Sequence, residues 1–254
     1  MAAKILYKYL DMKGGLAMLE HRNLQFTNAT KFNDPFDCHP ALFDYSNVPT
    51  NKYNWPPAGF LKLQGETDME NLRNNTWICC LSKVYDSLLM WAYYNNHKGI
   101  CIGLNIDAVV RCCRHLFLGA TLPYPAEVRY RDIHQKPDYF KDRPSWDDLL
   151  TTKAKEWEHE QEVRLIAHHP SWIRVGQDIP QELYEEKIID GKEIRYYPPL
   201  SVDCFESIYL GVNIFHRNKN KLIRTAKKIN PEIKIYQMTT DPKAFRLNEE
   251  IIES

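Results

Sequence analysis

Three stretches of the chain bring together side chains that could do chemistry. In Trp157-Glu158-His159-Glu160-Gln161-Glu162-Val163-Arg164, positions 160, 162 and 164 hold two carboxylates and a guanidinium at strand spacing. Alternate residues of a strand share a face and stand about 7 Å apart. Such a row is either a ladder of solvated charges or one wall of a cleft. Val163 and Leu165 fall on the opposite face, which anchors the strand in the core, and rigid elements make the better catalytic platforms. The second stretch runs from Cys80-Leu81-Ser82 through Asp86 to Leu89-Met90-Trp91 and Tyr94. A strand that ends in a serine and leads into an aromatic-rich helix could set a hydroxyl and stacking rings around a flat ligand. The same periodicity suits a core helix in which Trp91 and Tyr94 only pack. The third is Lys31-Phe32-Asn33-Asp34-Pro35-Phe36-Asp37-Cys38. Asn and Asp ahead of a proline form turns, and the two phenylalanines would pin this one to the core.

The elements that must position these residues follow from hydrophobic period and punctuation. Strands are expected at Leu6–Tyr9, Leu24–Thr27, Trp77–Leu81, Ile100–Leu104, Val128–Tyr130, Glu160–His168, Ile208–Leu210 and Ile233–Tyr236. Helices are expected around Gly15–Glu20, Ser87–His97, Ile106–Leu116, Trp146–Trp157 and Asn218–Lys228. Asp86 is the expected N-cap of the second helix, and Gly99 the residue that turns left-handed after it. Asp44–Glu66 mixes Pro, Asn, Tyr and Gly without a period and reads as a long loop or lid, and Pro137–Pro144 as a loop. Short strands, few crossover helices and no Gly-rich turn give an α+β fold of small mixed or antiparallel sheets with flanking helices. No linker divides residues 1–254, so one domain is expected.

Composition narrows the chemistry further. The chain has 254 residues, 44% hydrophobic and 26% charged, with 33 basic and 33 acidic side chains. It is long enough to bury a core without a disulfide or metal staple. The balanced charge argues against a general nucleic-acid or membrane binder, although it leaves room for a local basic patch. Lysines interrupt each apolar run near the start, so no signal-peptide core is read there, and no apolar run is long enough to span a membrane. Seven cysteines, two pairs of them adjacent, suit a reducing cytoplasm better than a disulfide framework. Dinucleotide-type G-x-G-x-x-G, Walker A, HExxH, C-x-x-C and G-x-S-x-G patterns do not occur. No metal is expected.

In order, these stretches resemble a largely uncharacterised bacterial family, domain of unknown function 2971. The resemblance rests on Leu6-Tyr7-Lys8-Tyr9, the strand Leu24–Thr27, Phe32-Asn33-Asp34-Pro35-Phe36, Ser82, Leu89-Met90-Trp91 with Tyr94, and His97-Lys98-Gly99-Ile100-Cys101-Ile102. It continues through Lys153, Trp157, Glu160, Glu162 and Arg164 to Ile208-Tyr209-Leu210-Gly211, covering roughly residues 5 to 240. The layout is more distantly similar to the ADP-ribosyltransferase superfamily, whose members split NAD in a cleft between two small sheets. That similarity implies a substrate, NAD, and a set of roles. Glu162 would be the catalytic glutamate, Glu160 would orient or activate an acceptor, and Ser82 would be the middle element. Lys8 or Tyr9 stands where the superfamily has Arg or His. Asn33, Asp34, Trp91, Tyr94 and Arg164 would complete the NAD site, with Trp91 or Tyr94 stacking on nicotinamide and Lys8 and Arg164 meeting the pyrophosphate. The acceptor is open among protein, nucleic acid, small molecule and water, and kinship suggests bacterial conflict or phage defence. Two rivals stand beside this: a non-catalytic nucleotide- or protein-binding module on a degenerate scaffold, and a hydrolase working through the two carboxylates.

Overall fold

A computed structural model describes residues 4–49, 56–113, 123–132, 136–168, 184–188 and 192–253. Strand β1 (Ile5–Leu10) leads into helix α1 (Met12–His21), whose first turn is capped by the Asp11 carboxylate accepting from the Gly14 amide at 2.6 Å. Strand β2 (Phe26–Asn28), helix α2 (Ala58–Asn74) and strand β3 (Thr76–Ser82) follow. Helix α3 (Leu88–Asn95) is capped by the Ser87 hydroxyl, one residue later than expected. Then come β4 (Ile100–Asn105), α4 (Ile106–Cys113), β5 (Tyr124–Glu127), β6 (Arg129–Arg131), α5 (Tyr139–Asp142), α6 (Trp146–Thr151), β7 (Thr152–Ala154) and β8 (Glu162–His168). The chain ends through β9 (Tyr184–Ile188), β10 (Lys192–Tyr196), β11 (Phe205–Leu210), α7 (His216–Ile229), β12 (Lys234–Thr240) and β13 (Leu247–Glu253).

The fold is α+β, as expected, with a mostly antiparallel sheet. Instead of separate small sheets, eleven strands among the described residues join one hydrogen-bonded network, and β6 and β7 form a small parallel pair. The main path runs β13-β12-β11-β4-β1-β3-β2-β10-β9, with β8 lying against β3 and β5 against β8. Strand β1 pairs with β4 along its whole length, from Ile5 opposite Asn105 to Leu10 opposite Ile100. It meets β3 at a single register position, Tyr7 opposite Ser82. Strand β3 instead runs fully along β8, from Thr76 opposite His168 to Ser82 opposite Glu162. The sheet therefore forks where β1 and β3 part, and the fork is where the cavity described below lies.

The core beneath the sheet holds Leu6, Leu19, Phe26, Leu104, Val163, Leu165 and Leu210 among others. Each such side chain stabilises the fold by roughly 1.5–3 kcal/mol relative to exposure. A second cluster of Tyr9, Met90, Trp91, Cys101 and Tyr209 seats α3 against β1. Gly99 is required by close approach rather than by a left-handed turn: a Cβ there would stand 2.2 Å from the Leu10 carbonyl oxygen. The left-handed residues after α3 are Asn96 and His97, with φ of 52° and 56°.

Three further expectations are corrected. Helix α2 begins at Ala58, inside the stretch read as loop, of which 50–55 lie outside the described residues. Its apolar stripe is thin: Met69 is buried and packs with Phe43, Tyr45 and Leu149, while Phe60 and Leu63 are exposed, which weakens the periodic signal. Part of Pro137–Pro144 forms the short helix α5, capped by the Asp138 carboxylate. The helix expected over Trp146–Trp157 ends at Thr151, giving way to β7 and a 3-10 turn over Lys155–Glu160. β-branched Thr151 and Thr152 favour that switch to extended backbone.

Candidate functional site

The turn at 33–38 is built locally. The Asp34 carboxylate accepts from the Phe36 amide at 2.9 Å and its carbonyl accepts from the Asp37 amide, closing a tight bend. Cys38 then adopts φ 55°, in the left-handed region. The bend delivers Asp37, 4% exposed, to the interior, where its carboxylate accepts from Arg164 Nη2 at 2.7 Å.

Glu160 and Glu162 reach the same place by a different route from the one their spacing suggests. Glu160 ends the 3-10 turn, Gln161 takes φ 43°, and only Glu162 opens β8. The left-handed kink at Gln161 turns both carboxylates inward onto one ammonium. Lys153 Nζ lies 2.5 Å from Glu160 Oε2, 3.1 Å from Glu162 Oε2 and 3.8 Å from Asp37 Oδ2. The Arg164 guanidinium, fully buried, grips both Glu162 oxygens at 2.8 and 3.2 Å and donates to the Leu150 carbonyl at 2.7 Å and to Cys38 Sγ at 3.2 Å. The row is neither a solvated ladder nor a bare cleft wall. It is a buried ion network.

Ser82 ties the end of β3 to this segment. Its hydroxyl donates to the Glu160 carbonyl at 2.7 Å and accepts from the Val84 amide at 3.2 Å. The Tyr130 hydroxyl accepts from the Glu162 amide at 2.8 Å, and the Tyr94 hydroxyl donates to Glu160 Oε1 at 2.8 Å. Across the fork, Lys8 Nζ donates to the Cys80 carbonyl at 2.8 Å, bridging β1 and β3 where their backbones no longer pair.

Electrostatics follow from this packing. Burial pushes the Glu162 carboxyl up, but the Arg164 and Lys153 cations outweigh it and hold its pKa at about 2. Burial works against the Lys153 ammonium, and the carboxylates of Glu162, Glu160 and Asp37 more than offset it, leaving its pKa raised. For Lys8, burial is again opposed, here by Cys79, Cys80, Glu162 and Glu160, and the net shift is upward. Burial and the Glu160 carboxylate push the Tyr94 phenol well up. Lys8, Lys153 and Arg164 thus face Asp37, Glu160 and Glu162 as a balanced set of three cations and three carboxylates.

A cavity of about 320 Å³ opens in the fork. Its lining includes Lys8, Tyr9, Asn33, Asp37, Ser82, Tyr94, Lys153, Glu160 and Glu162. The volume lies at the small end of ligand sites. Residues from β1, the 33–38 turn, β3, α3 and the start of β8 therefore share one cavity. Three of the expected site residues lie elsewhere. Trp91 is fully buried, donating its indole N–H to the Tyr85 carbonyl at 2.7 Å and meeting Tyr9 edge-on, so its faces are spent on packing. Arg164 is enclosed behind Glu162, with its donors committed to the protein, which removes it from any pyrophosphate contact. Asp34 lines a second, more apolar cavity of about 380 Å³, together with Phe36, Leu42 and Trp157. Asp37 and Lys153 line both cavities. Lys153 Nζ also stands 4.8 Å from the Trp157 ring centroid.

Residues 90–165 match the model of the family described as protein of unknown function, DUF2971. No curated protein and no solved structure matches the chain. The DUF2971 segment holds Tyr94, Lys153, Glu160, Glu162 and Arg164, most of the ion network, whereas Lys8, Asn33, Asp37 and Ser82 lie before it. Among the described residues, no group of three or more His, Cys, Asp or Glu side chains could hold a metal ion, and no helix is long and apolar enough to cross a membrane.

Two residues that the sequence reading gave no role, Asp37 and Lys153, hold the network together. The signal for a missing cation was present: Glu160, Glu162 and Arg164 alone leave one excess negative charge, and buried charges need partners. Asp37 sat in the noted turn, but nothing in its spacing pointed inward.

Proposed function

We propose that the cavity at the sheet fork binds NAD and that the protein cleaves its nicotinamide–ribose bond, passing ADP-ribose to an acceptor or to water. The observation that carries this reading is the convergence of Lys8, Ser82, Tyr94, Glu160 and Glu162, drawn from separate elements, on one cavity. As the bond to nicotinamide breaks, its electron pair leaves with neutral nicotinamide and positive charge develops on the ribose. A carboxylate with a pKa of about 2 is ionised at any physiological pH, which suits Glu162 to stabilising that charge rather than to removing a proton. In this reading Glu160, held by Tyr94 and Lys153, accepts a hydrogen bond from the attacking nucleophile, whose proton passes to solvent. Ser82 acts through the backbone as a positioning residue, fixing the Glu160 carbonyl. A cavity of about 320 Å³ holds the reacting ribose and its neighbours, with the remainder of the dinucleotide extending past its mouth.

Nicotinamide release from NAD by the purified protein, followed by chromatography, tests this reading. Glu162→Gln is expected to lower turnover by about 100- to 1000-fold. Tyr94→Phe, which removes one donor to Glu160 while Lys153 keeps its other oxygen paired, should lower the rate with a fall in melting temperature of no more than about 6 °C. Absence of turnover with water and with every acceptor class offered would end the catalytic reading. A second reading, a non-catalytic ligand-binding module, is favoured by one feature: Arg164 and Lys153 already occupy both Glu162 oxygens. Calorimetry with NAD and ADP-ribose separates the two, since binding without turnover fits only the module.

A further inference from the structure

Helix α7 carries six lysines and arginines and no carboxylate. The rest of the chain consequently has six more acidic than basic side chains, so the overall neutrality conceals a segregated charge. Within the helix the cations are also sorted. Arg217, Lys221, Arg224 and Lys228 are all exposed and recur at i, i+4, i+7 and i+11, which puts them in one stripe about 16 Å long. Leu222 and Ala226 on the opposite side are fully buried in the core, and α7 packs against α1. Lys227 lies beside the stripe and Lys219 on the packed side, and both are used internally, donating to the Pro231 carbonyl and to Gln237 Oε1. Within the stripe, Lys221 stands 3.8 Å from Glu20 and Arg224 Nε donates to the Asn220 carbonyl. Like charges at these spacings weaken a helix, so the stripe is maintained at a cost to local stability.

Two residues before Arg217, at the N-cap of the helix, Phe215 is 62% exposed, and Lys98 Nζ lies 5.7 Å from its ring centroid. A row of cations with an exposed aromatic ring near one end of the same helix has the chemistry of single-stranded nucleic-acid binding, with phosphates along the charges and a base against the ring. An anionic membrane fits less well, because the apolar side chains Leu222 and Ala226 are committed to the core and cannot insert. We propose that the exposed face of α7, with Phe215 and Lys98, binds single-stranded nucleic acid without sequence preference. This is independent of the reading of the fork cavity.

Fluorescence anisotropy of a labelled oligo-dT strand against the full chain, titrated across salt concentrations, tests the proposal. Four phosphate contacts give a slope of log affinity against log salt of about −3. Neutralising Arg217, Arg224 and Lys228 to Gln should bring the slope to about −0.7 and lower affinity at least about 10-fold at low salt. Phe215→Ala should weaken binding several-fold with the slope unchanged. Lys62→Gln with Lys141→Gln, remote in sequence from the stripe, should change nothing. Circular dichroism of each variant confirms that the fold is retained, and single substitutions at 224 and 228 replace the triple variant if it is not. No binding by the wild-type chain, an affinity indifferent to the stripe, tighter binding of a duplex, or recruitment to phosphatidylserine vesicles without oligonucleotide binding would each overturn it.

Discussion

Replacing Arg164 with Met removes the guanidinium at the centre of the buried network while nearly keeping its volume. Five contacts go with it: two to Glu162, one to Asp37, one to the Leu150 carbonyl and one to Cys38 Sγ. Breaking a buried ion pair from one side costs about 3–5 kcal/mol, because the partner stays behind uncompensated. Lys153 remains 3.1 Å from Glu162 and 3.8 Å from Asp37 and takes up part of the loss, so the lower end, about 3 kcal/mol, applies here. For a chain of this size that corresponds to a fall in melting temperature of roughly 6–12 °C. Thermal unfolding followed by far-UV circular dichroism at neutral pH reads it directly. Arg164→Lys keeps the charge but loses the planar fork, and should fall between wild type and Met. Replacing Glu162 and Arg164 together with apolar residues should recover much of the loss, since Lys8 and Lys153 then still balance Asp37 and Glu160. A melting temperature for Arg164→Met within about 3 °C of wild type would refute the assignment of this network as a stability determinant.

Two other outcomes follow from the same geometry. The Glu162 pKa lies at about 2 in the folded protein, against an ordinary 4.5, so its ionised form stabilises the fold above the ordinary value and that contribution drains away as pH falls from about 4.5 to 2. The shift is worth about 3 kcal/mol, and urea titrations across that window should show a steep acid limb that Glu162→Gln flattens. Gln161 sits at φ 43°, where a β-branched side chain is strongly disfavoured, so Gln161→Val should cost more than about 1 kcal/mol in chemical denaturation. An unchanged midpoint would mean that the kink between the two glutamates is not fixed by backbone conformation.

The α+β class and most strands were legible in the chain, because elements such as Ile100–Asn105 and Thr76–Ser82 are continuous apolar runs between turn-forming residues. Helix α2 was not, since its buried contacts depend on Phe43, Tyr45 and Leu149, far away in sequence. Around the candidate cavity, Ser82, Tyr94, Glu160 and Glu162 were singled out from residue type and order and Lys8 from the superfamily similarity, and all five line it. The places of Trp91 and Arg164 were misjudged, because periodicity gives the face a side chain occupies but not what covers it. Trp91 is covered by the Tyr9 cluster and Arg164 by the 33–38 turn. The Glu160-Gln161-Glu162 spacing pointed to one wall through a regular strand, whereas the real cause is a left-handed residue between the two acids. Long-range partners such as Asp37 and Arg164, 127 residues apart, leave no local pattern to read.

Strand β13 occupies one end of the main sheet and, among the described residues, one of its sides has no neighbouring strand. An open side of this kind is a template on which another chain can add. Here Glu249 and Glu250 are exposed along it, with Glu249 held by the Tyr85 hydroxyl at 2.9 Å, and Ile251 is 57% exposed. Adjacent negative charges repel a second copy offering the same strand, which guards an otherwise sticky border against fibril-like growth. The two glutamates act as gatekeepers of solubility, and exchanging both for uncharged side chains would let this border begin to recruit its own kind.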